Sequence, residues 1–278
     1  MLKNSYMSKF DLAGKTAIVT GGAGLLGKYF CYALADCGAN VVIADINKQS
    51  AQLLAKELEI EKNIKSIGIY CDVASPDSVK GLIDMTVDSY GSIEILHNNA
   101  SITATTSSDP AGFFASFEDY SLDVWREVMS VNLDGMFLMA QAVGKQMVKQ
   151  GKGGSIIQTA SIYGTMAPDQ RIYEGSDYLG RRINTPVAYS TSKTAIVGLT
   201  KYLATYWADK NIRVNTLSPG GIENGQNDEF KLRYSARIPL GRMAEQDEMV
   251  GALLFLASDA SSYMTGQNIV VDGGLSAW

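Results

Sequence analysis

The chain has 278 residues, of which 46% are apolar and 19% charged, and its formal net charge is -5. This balance predicts a compact globular protein and argues against a nucleic-acid partner, because nucleic-acid binders usually present a basic face to the phosphates. No apolar run reaches the roughly 18 residues of a membrane span, and the N-terminal segment lacks the apolar core of a signal peptide, so we expect a cytoplasmic protein without membrane contact.

Short β-branched apolar runs alternate with longer segments of helical periodicity along the chain. The runs predict strands at residues 16–20, 41–44, 66–70, 93–97, 155–159, 213–217 and 268–271. The periodic segments predict helices at residues 24–37, 49–59, 77–90, 122–149, 188–210 and 245–258. This alternation predicts one doubly wound α/β domain over residues 1–278, of Rossmann type, with a mainly seven-stranded parallel sheet flanked by helices. Functional residues should follow the strands, because ligands bind beyond their carboxyl ends.

A glycine-rich turn, TGGAGLLG at residues 20–27, follows the first predicted strand. Glycine allows the backbone to turn sharply and to approach a pyrophosphate, whose charge then meets the N-terminus of the next helix. Taken alone, such a cluster is equally consistent with an ordinary tight turn. The residues predicted to contact a cofactor here are Gly21, Gly22, Gly24, Leu25, Leu26 and Gly27.

An acidic residue, Asp45, follows the second predicted strand, 21 residues after Gly24. At that spacing a carboxylate can accept hydrogen bonds from both hydroxyls of an adenosine ribose, although a helix N-cap is the alternative role. The same charge would repel a 2′-phosphate, so the predicted cofactor is NAD, with NADP less favoured. The neighbouring Ile46 belongs to the same predicted site.

Residues that can line a nucleotide also follow the third and fourth predicted strands. They are Asp72 and Val73 after the third strand, and Asn99 and Ala100 after the fourth. His97 is the only histidine of the chain, which excludes a multi-histidine metal site. We therefore predict no metal site and expect catalysis to use another base.

Tyr189 and Lys193 lie four residues apart, on one face of a predicted helix. A nearby cation favours the phenolate, so we expect it to lower the phenol's pKa from its ordinary value of about 10 and to make Tyr189 a candidate base. Tyr206 and Lys210 repeat this spacing. They lie toward the far end of the helix, however, so only Tyr189 can reach a cofactor at the carboxyl edge of the sheet.

With these motifs in order, the chain resembles the short-chain dehydrogenase/reductase family over roughly residues 10–274. The positions that carry the resemblance are residues 20–27, Asp45, Asp72, residues 98–100, Asn132, Ser161, Tyr189, Lys193, Pro219 and Gly220. The resemblance implies an NAD(P)-dependent enzyme acting on an alcohol or ketone. It also adds Pro219, Gly220 and Ile222 to the predicted cofactor site.

The resemblance assigns roles to four side chains. Tyr189 would exchange a proton with the substrate oxygen as general acid/base, and Lys193 would assist it and bind the nicotinamide ribose. Ser161 would hydrogen-bond the reacting oxygen. Asn132 would hold a water that connects Lys193 to solvent.

Two features of the chain point to different branches of the family. Gly21, Gly24 and Gly27 match a glycine pattern typical of enzymes that act on nucleotide sugars, whereas VDGG at residues 271–274 is typical of simple dehydrogenases. A weaker resemblance links the chain to oxidoreductases of bacterial surface-sugar and flagellin-glycan pathways. The alternatives to a dehydrogenase are a nucleotide-sugar dehydratase or epimerase, in which NAD is reduced and reoxidised within one turnover, and a non-catalytic dinucleotide-binding scaffold.

The connection between Ser161 and Tyr189 has 27 residues, which is longer than the family usually has. We predict substrate loops at about residues 101–120, 163–187 and 221–240. The polar composition of the second loop predicts a polar, sugar-like or anionic substrate, bound by Ser161, Tyr163, Arg171, Arg181 and Arg182. A subunit contact would explain these arginines equally well. The resemblance also implies a homodimer or homotetramer, assembled through predicted helices 122–149 and 188–210.

Overall fold

The computed structural model describes residues 5–104, 106–178 and 180–278, apart from the side chains of Tyr178 and Arg181. Within these ranges the strands are β1 (Thr16–Thr20), β2 (Asn40–Asp45), β3 (Ser66–Tyr70), β4 (Ile95–Asn98), β5 (Gly154–Thr159), β6 (Asp177–Tyr178), β7 (Arg181–Arg182), β8 (Ile212–Pro219) and β9 (Asn268–Val271). The α-helices are α1 (Leu25–Asp36), α2 (Lys48–Lys62), α3 (Pro76–Tyr90), α4 (Leu122–Met129), α5 (Met136–Gln150), α6 (Val187–Tyr206), α7 (Asp228–Ser235) and α8 (Val250–Ala257).

In the described part of the chain, seven strands form one parallel sheet in the order β3-β2-β1-β4-β5-β8-β9. The predicted Rossmann-type α/β fold is thus confirmed. The order reverses between β1 and β4, so their carboxyl ends open onto a crevice where a ligand can bind. All five residues of β1 are buried, as expected for a parallel strand covered by helices on both faces.

Helices pack on both faces of the sheet through two hydrophobic clusters. On one face, Phe30 and Leu34 of α1 and Leu253 of α8 pack against β1 and β2. On the other face, Met139 and Val143 of α5 lead a cluster that includes side chains of α3 and α6. In the described ranges, no helix combines the length and the apolar character needed to span a membrane. The two layers fix the sheet so that the polar ends of its strands lie along one edge.

Three segments differ from the sequence-based predictions. The helix predicted at residues 122–149 is interrupted by a π-helical turn, Ser130–Gly135, between α4 and α5. The predicted loop at residues 221–240 contains α7, and the predicted loop at residues 163–187 contains the antiparallel pair β6-β7. α7 and the strand pair are short and were missed because such short elements contain too few periodic positions to be recognised in the sequence.

The single histidine lies in the core. His97 on β4 is fully buried, its Nε2 lies 2.8 Å from the Thr159 hydroxyl, and its ring meets the Phe30 ring edge to face at 4.4 Å. Burial lowers its pKa to about 3, so the folded protein holds the imidazole neutral. An unfolded chain, with an ordinary histidine pKa, takes up a proton as the pH falls below about 6.5.

We therefore expect acid to destabilise the fold through His97. Between the unfolded and folded pKa values only the unfolded state binds the extra proton, so the free energy of unfolding falls by about 1.4 kcal/mol per pH unit as the pH drops below about 6. Urea unfolding at about pH 7 and about pH 5 measures this loss. In His97→Gln the same pH change should remove about 2 kcal/mol less, and an equal loss in both proteins would contradict the assignment.

Candidate active site

The glycine-rich turn brings α1 close to the ends of β1 and β4. Gly21 has φ +60°, in the left-handed region that favours glycine, and a Cβ there would lie 3.0 Å from Ala100 Cα. A Cβ on Gly27 would lie 2.1 Å from the Gly21 carbonyl oxygen, so only glycine allows α1 to begin at this point. The loop is therefore a tightly packed cradle rather than an ordinary turn.

The N-terminus of α1 faces this cradle. Gly24 is its N-cap and has no side chain to accept a hydrogen bond from the first turn, which begins at Leu25 and Leu26. The first N–H groups of a helix have no partner within the helix, and they carry the positive end of its dipole. This arrangement suits a phosphate group.

Asp45 lies at the end of β2, beside the glycine-rich turn. Its carboxylate accepts hydrogen bonds from the backbone N–H groups of Ala23 at 3.0 Å and Asn47 at 2.9 Å. These two bonds hold the carboxylate in place and leave lone pairs on both oxygens for ribose hydroxyls. The helix cap that was the alternative role belongs to Asn47, whose side chain caps α2. The next residue, Ile46, is exposed.

Thr20 joins the ends of β1 and β4. Its hydroxyl accepts hydrogen bonds from the backbone N–H groups of Asn99 at 2.8 Å and Ala100 at 3.0 Å, and the Asn99 side-chain amide donates to the Thr20 carbonyl at 3.2 Å. Asn99 and Ala100 therefore lie against the glycine loop. In the sequence Thr20 stands only as the first residue of the glycine motif. Its bracing role was missed because the contact crosses between strands.

The remaining residues predicted to contact a cofactor lie along the same edge. Asp72 follows β3 and accepts the Ala74 N–H at 3.0 Å, and a Cβ on Gly135 would meet the Val73 side chain at 2.7 Å. On the far side, the Gly220 N–H donates to Val271 at 2.8 Å, and Ile222 forms a bridge with Ala244. Pro219 ends β8.

These features test whether a dinucleotide suits the site. The turn leaves no room for a Cβ at Gly27, and the start of α1 has no side-chain cap. The Asp45 carboxylate, at the end of β2, is held beside the turn by the Ala23 N–H. A pyrophosphate fits the first two features and a ribose fits the third. The residues present are therefore compatible with a bound nicotinamide dinucleotide.

Tyr189 and Lys193 lie one turn apart near the start of α6. The Lys193 Nζ lies 5.6 Å from the centroid of the Tyr189 ring and donates a hydrogen bond of 3.0 Å to the carbonyl oxygen of Thr159, the last residue of β5. Lys193 is almost completely buried. The predicted pair thus lies at the carboxyl edge of the sheet, whereas Tyr206 ends α6 and is exposed.

The pKa values of this pair differ from the expectation. Burial raises the pKa of Tyr189, and the hydrogen bond with the Ser161 side chain acts in the opposite direction. The prediction that Lys193 lowers this pKa is thus wrong for the chain by itself, because Nζ lies over the ring and is bound to Thr159. Burial also lowers the pKa of Lys193 to about 7, which reduces its charge near neutral pH.

Ser161 reaches Tyr189 because a short turn packs against α6. Ser161 is the N-cap of the 3-10 turn Ile162–Gly164, and its hydroxyl accepts the Tyr163 N–H at 3.2 Å. A Cβ on Gly164 would lie 2.7 Å from the Lys193 carbonyl oxygen, so the turn can approach the helix closely. The structure thus brings Ser161, Tyr189 and Lys193 together.

Asn132 lies within the π-helical turn Ser130–Gly135, a feature often found at functional sites. Its side-chain oxygen accepts the Ile102 N–H at 2.8 Å. Its Nδ2 is buried and has no hydrogen-bond partner in the part of the chain that the structure describes. A buried donor of this kind suits a bound water.

Of the arginines predicted to bind substrate, the two whose side chains the structure describes are exposed. Arg171 is exposed, and its guanidinium forms two hydrogen bonds of 2.9 Å with the Asp169 carboxylate. Arg182 is exposed on the short strand β7. The side chain of Arg181 lies outside the described part of the structure. In contrast, Tyr163 is buried in the same cluster as Tyr189.

The three predicted substrate loops contact one another. The Asn184 side chain donates to the carbonyls of Phe114 at 2.9 Å and Ala115 at 3.3 Å, which joins the second loop to the first. The Asn227 side chain donates to Asp177 at 3.0 Å, which joins the third loop to the second. The loops therefore form one continuous wall.

Comparison with known proteins identifies the relatives of this chain. A family model described as enoyl-(acyl carrier protein) reductase matches residues 24–276. A D-threitol dehydrogenase from Mycolicibacterium smegmatis is 37% identical over 270 residues, which cover 95% of this chain and 94% of the relative. A 3-oxoacyl-(acyl carrier protein) reductase from Thermotoga maritima is also 37% identical, over 95% of this chain and 98% of the relative.

A solved structure resembles the chain over its whole length. It is a gluconate 5-dehydrogenase from Burkholderia cenocepacia, in complex with NADP and tartrate. The TM-score is 0.86 at 32% sequence identity, and the match covers 99% of this chain and 100% of the other. The fold and the extent of the match agree with the sequence relatives.

Proposed function

Because this chain belongs to the short-chain dehydrogenase/reductase family and is thus an NAD(P)-dependent oxidoreductase of alcohol and ketone groups, we propose that it interconverts a secondary hydroxyl and a ketone in a neutral polyol or sugar. We propose that it acts as one dinucleotide-binding domain, with NAD(H) preferred. The observation that carries this proposal is the meeting of Tyr189, Lys193 and Ser161 beside the dinucleotide cradle. The hydrogen bonds and burial of these side chains support their roles.

The proton chemistry follows from the positions of these side chains. A bound nicotinamide would accept or supply the hydride, and Gly21, Gly24 and Asp45 are the residues that we expect to hold its dinucleotide. The Ser161 hydroxyl, which lies near enough to Tyr189 to act on its pKa, would donate to the substrate oxygen. During oxidation Tyr189 would first pass its own proton toward Lys193 and then, as a phenolate, take the proton of the substrate oxygen; during reduction the Tyr189 hydroxyl would donate that proton back.

Lys193 and Asn132 would carry protons between Tyr189 and solvent. The Lys193 ammonium donates to Thr159 and has two further protons, which would donate to a ribose hydroxyl and a water. The unpartnered Nδ2 of Asn132 could hold that water. With the pKa of Lys193 lowered to about 7, the amine can release and take up a proton near neutral pH.

We prefer a polyol to an acyl substrate because of the side chains that surround Tyr189. The D-threitol dehydrogenase and the gluconate 5-dehydrogenase have names that refer to polyhydroxylated substrates, whereas the Thermotoga maritima relative is an acyl-carrier-protein reductase. In this chain Tyr163 and Tyr173 pack in one cluster with Tyr189, and their hydroxyls form a row with that of Thr185. Such a surface suits hydroxyl groups better than an acyl chain.

A substrate panel tests this proposal. Tetritols, pentitols and hexitols with NAD, and the matching ketoses with NADH, should change nicotinamide absorbance, whereas an acetoacetyl thioester should be a poorer substrate. Faster turnover of the thioester would overturn the substrate class. Conversion of a nucleotide sugar without net change in nicotinamide absorbance would favour the dehydratase or epimerase instead.

We expect Tyr189→Phe to lower kcat by about 10²-fold to 10⁴-fold, because it removes the proton donor and acceptor but keeps the ring. The same polyol assay measures this loss. Tyr206→Phe is the matched control, since Tyr206 and Lys210 have the same spacing on an exposed part of the chain, and it should retain full activity. Equal activity of the two variants would contradict the role of Tyr189.

The cofactor preference follows from the Asp45 carboxylate. A 2′-phosphate would approach this negative charge, which two backbone N–H groups hold in place. We expect NAD(H) to bind at least about tenfold more tightly than NADP(H), a difference of about 1.4 kcal/mol. Calorimetry measures both affinities, and Asp45→Ala should narrow the difference.

Asp84→Ala is a matched control for this experiment, since Asp84 is an exposed carboxylate on α3 that pairs with Lys80. In this variant the ratio of the NAD(H) affinity to the NADP(H) affinity should equal that of the unchanged protein. Tighter binding of NADP(H) than of NAD(H) by the unchanged protein would refute the proposed preference. The affinities for both cofactors need to be measured, because the similar gluconate 5-dehydrogenase was solved in complex with NADP.

An apolar groove on α5 and α6 supports assembly into a homodimer or homotetramer. Its volume is about 410 Å³, and its lining includes Phe137 and Val148 of α5 with Tyr202 and Tyr206 of α6. Tyr202 and Tyr206 are 64% and 62% exposed, and their rings stack at 5.8 Å. Large exposed apolar side chains grouped in this way are typical of protein interfaces.

We propose a cytoplasmic location, which suits the free cysteines Cys31, Cys37 and Cys71.

We expect the double variant Phe137→Glu, Tyr206→Glu to release a 30.0 kDa monomer, because it places unpaired charges in a buried interface. Light scattering measures the mass in solution. Tyr263→Glu, at a fully exposed residue outside this groove, should leave the assembly unchanged. A monomeric unchanged protein, or a variant that still assembles, would contradict this interface.

A further inference from the structure

Three hydroxyls from the long Ser161–Tyr189 connection form a chain. The Tyr163 and Tyr173 phenol oxygens lie 3.2 Å apart, and the Tyr173 oxygen lies 2.5 Å from the Thr185 hydroxyl. Burial raises the pKa values of both tyrosines, so these groups remain neutral near neutral pH. The chain is a row of neutral groups, each able to donate and to accept a hydrogen bond.

Packing against α7 holds this row in place. The Tyr173 ring stacks on Phe230 with centroids 5.5 Å apart, and Phe230 packs on Tyr234 at 5.4 Å. A Cβ on Gly221 would lie within 2.8 Å of the Tyr234 hydroxyl, so this ring rests on the backbone after β8. The hydroxyl chain is thus part of a rigid wall and not of a loose surface loop.

The Tyr163 end of the row lies beside the reacting groups. Tyr163 follows Ser161 by two residues, its N–H donates to the Ser161 hydroxyl, and its ring packs in one cluster with Tyr189. A charge on Tyr163 would raise the pKa of Tyr189, which also reflects how near the two phenols lie. A substrate oxygen held by Ser161 and Tyr189 would therefore have Tyr163 as a neighbour.

The number of protons in the row indicates what it can bind. Three hydroxyls carry three protons, and the two hydrogen bonds between them use two. Both bonds can run in either direction, and the Tyr234 hydroxyl is a further polar neighbour of Tyr163. Tyr163 can therefore direct its proton or a lone pair either to Tyr234 or to a ligand. A ligand hydroxyl offers the same choice, whereas a carboxylate only accepts hydrogen bonds.

The charges around the row also favour a neutral group. The guanidinium of Arg237 acts on the pKa of Tyr163. It lies 3.9 Å from Asp169, which also binds the guanidinium of Arg171. The Arg237 charge is therefore shared with a carboxylate.

Building on the proposed function, we propose that Tyr163, positioned by Tyr173 and Thr185, recognises a hydroxyl on the carbon next to the reacting carbon. The site would thus select vicinal diols and α-hydroxyketones over monohydric alcohols and simple ketones. Tyr163 would touch the substrate, while Tyr173 would act through Tyr163 as a positioning residue. Tyr173 belongs to the extended connection, which would give that segment a role in specificity.

Paired substrates that differ by one hydroxyl test this inference. The probes are 2,3-butanediol with 2-butanol in oxidation and acetoin with 2-butanone in reduction, each with NAD(H) and NADP(H). Tyr173→Phe keeps the ring on Phe230 and removes the hydroxyl, and we expect the diol-to-alcohol ratio of kcat/KM to fall by about fivefold to tenfold, mainly through the KM of the diol. Tyr163→Phe should lower the ratio at least as much. The control, Tyr263→Phe, changes a fully exposed tyrosine and should leave the ratio unchanged.

Each outcome separates this inference from the proposed function. Parallel losses for both members of a pair would assign Tyr173 a structural role and overturn the inference alone, as would an unchanged ratio in both variants. Turnover of polyols with no preference for the diol in the unchanged protein would also overturn it and leave the proposed function standing. Turnover of monohydric alcohols without any turnover of polyols would overturn both.

Discussion

A buried hydrogen bond from Lys193 to the Thr159 carbonyl holds the site together. An ammonium group away from water needs such a polar partner, and even with it the pKa of Lys193 falls to about 7. The bond ties α6 to the end of β5. Since Tyr189 lies one turn before Lys193, and Ser161 lies two residues after Thr159, the same contact brings the phenol and the serine hydroxyl together.

Two glycines make this contact and its counterpart on the cofactor side possible. Gly164 lets the turn after Ser161 lie against the α6 backbone, and Gly27 lets α1 begin directly at the glycine-rich turn. In both places a helix approaches a strand end more closely than a Cβ would allow. Because both strand ends lie along one edge of a parallel sheet, the cradle and the catalytic residues open onto the same crevice.

The long connection between Ser161 and Tyr189 is part of the same architecture. Tyr173 stacks on Phe230 of α7, and Asn184 and Asn227 join the connection to the two other loops. Its arginines were predicted to bind an anion, yet Arg171 pairs with Asp169 at the surface. Its tyrosines Tyr163 and Tyr173 instead pack in one cluster with Tyr189. The proposed substrate surface is therefore rich in neutral hydroxyls.

The sequence by itself determined the sheet, the glycine-rich turn and the order of the candidate catalytic residues. β-branched runs mark strands, glycines mark the turn after β1, and parallel strands align their carboxyl ends, so Asp45, Ser161 and Tyr189 could be assigned to one edge. Only the tertiary structure decided which polar residues of the long connection turn inward, where the π-helical turn places Asn132, and that burial raises the pKa of Tyr189. These properties depend on contacts between residues far apart in the chain, such as Tyr173 with Phe230 and Asn132 with Ile102, which no local pattern records.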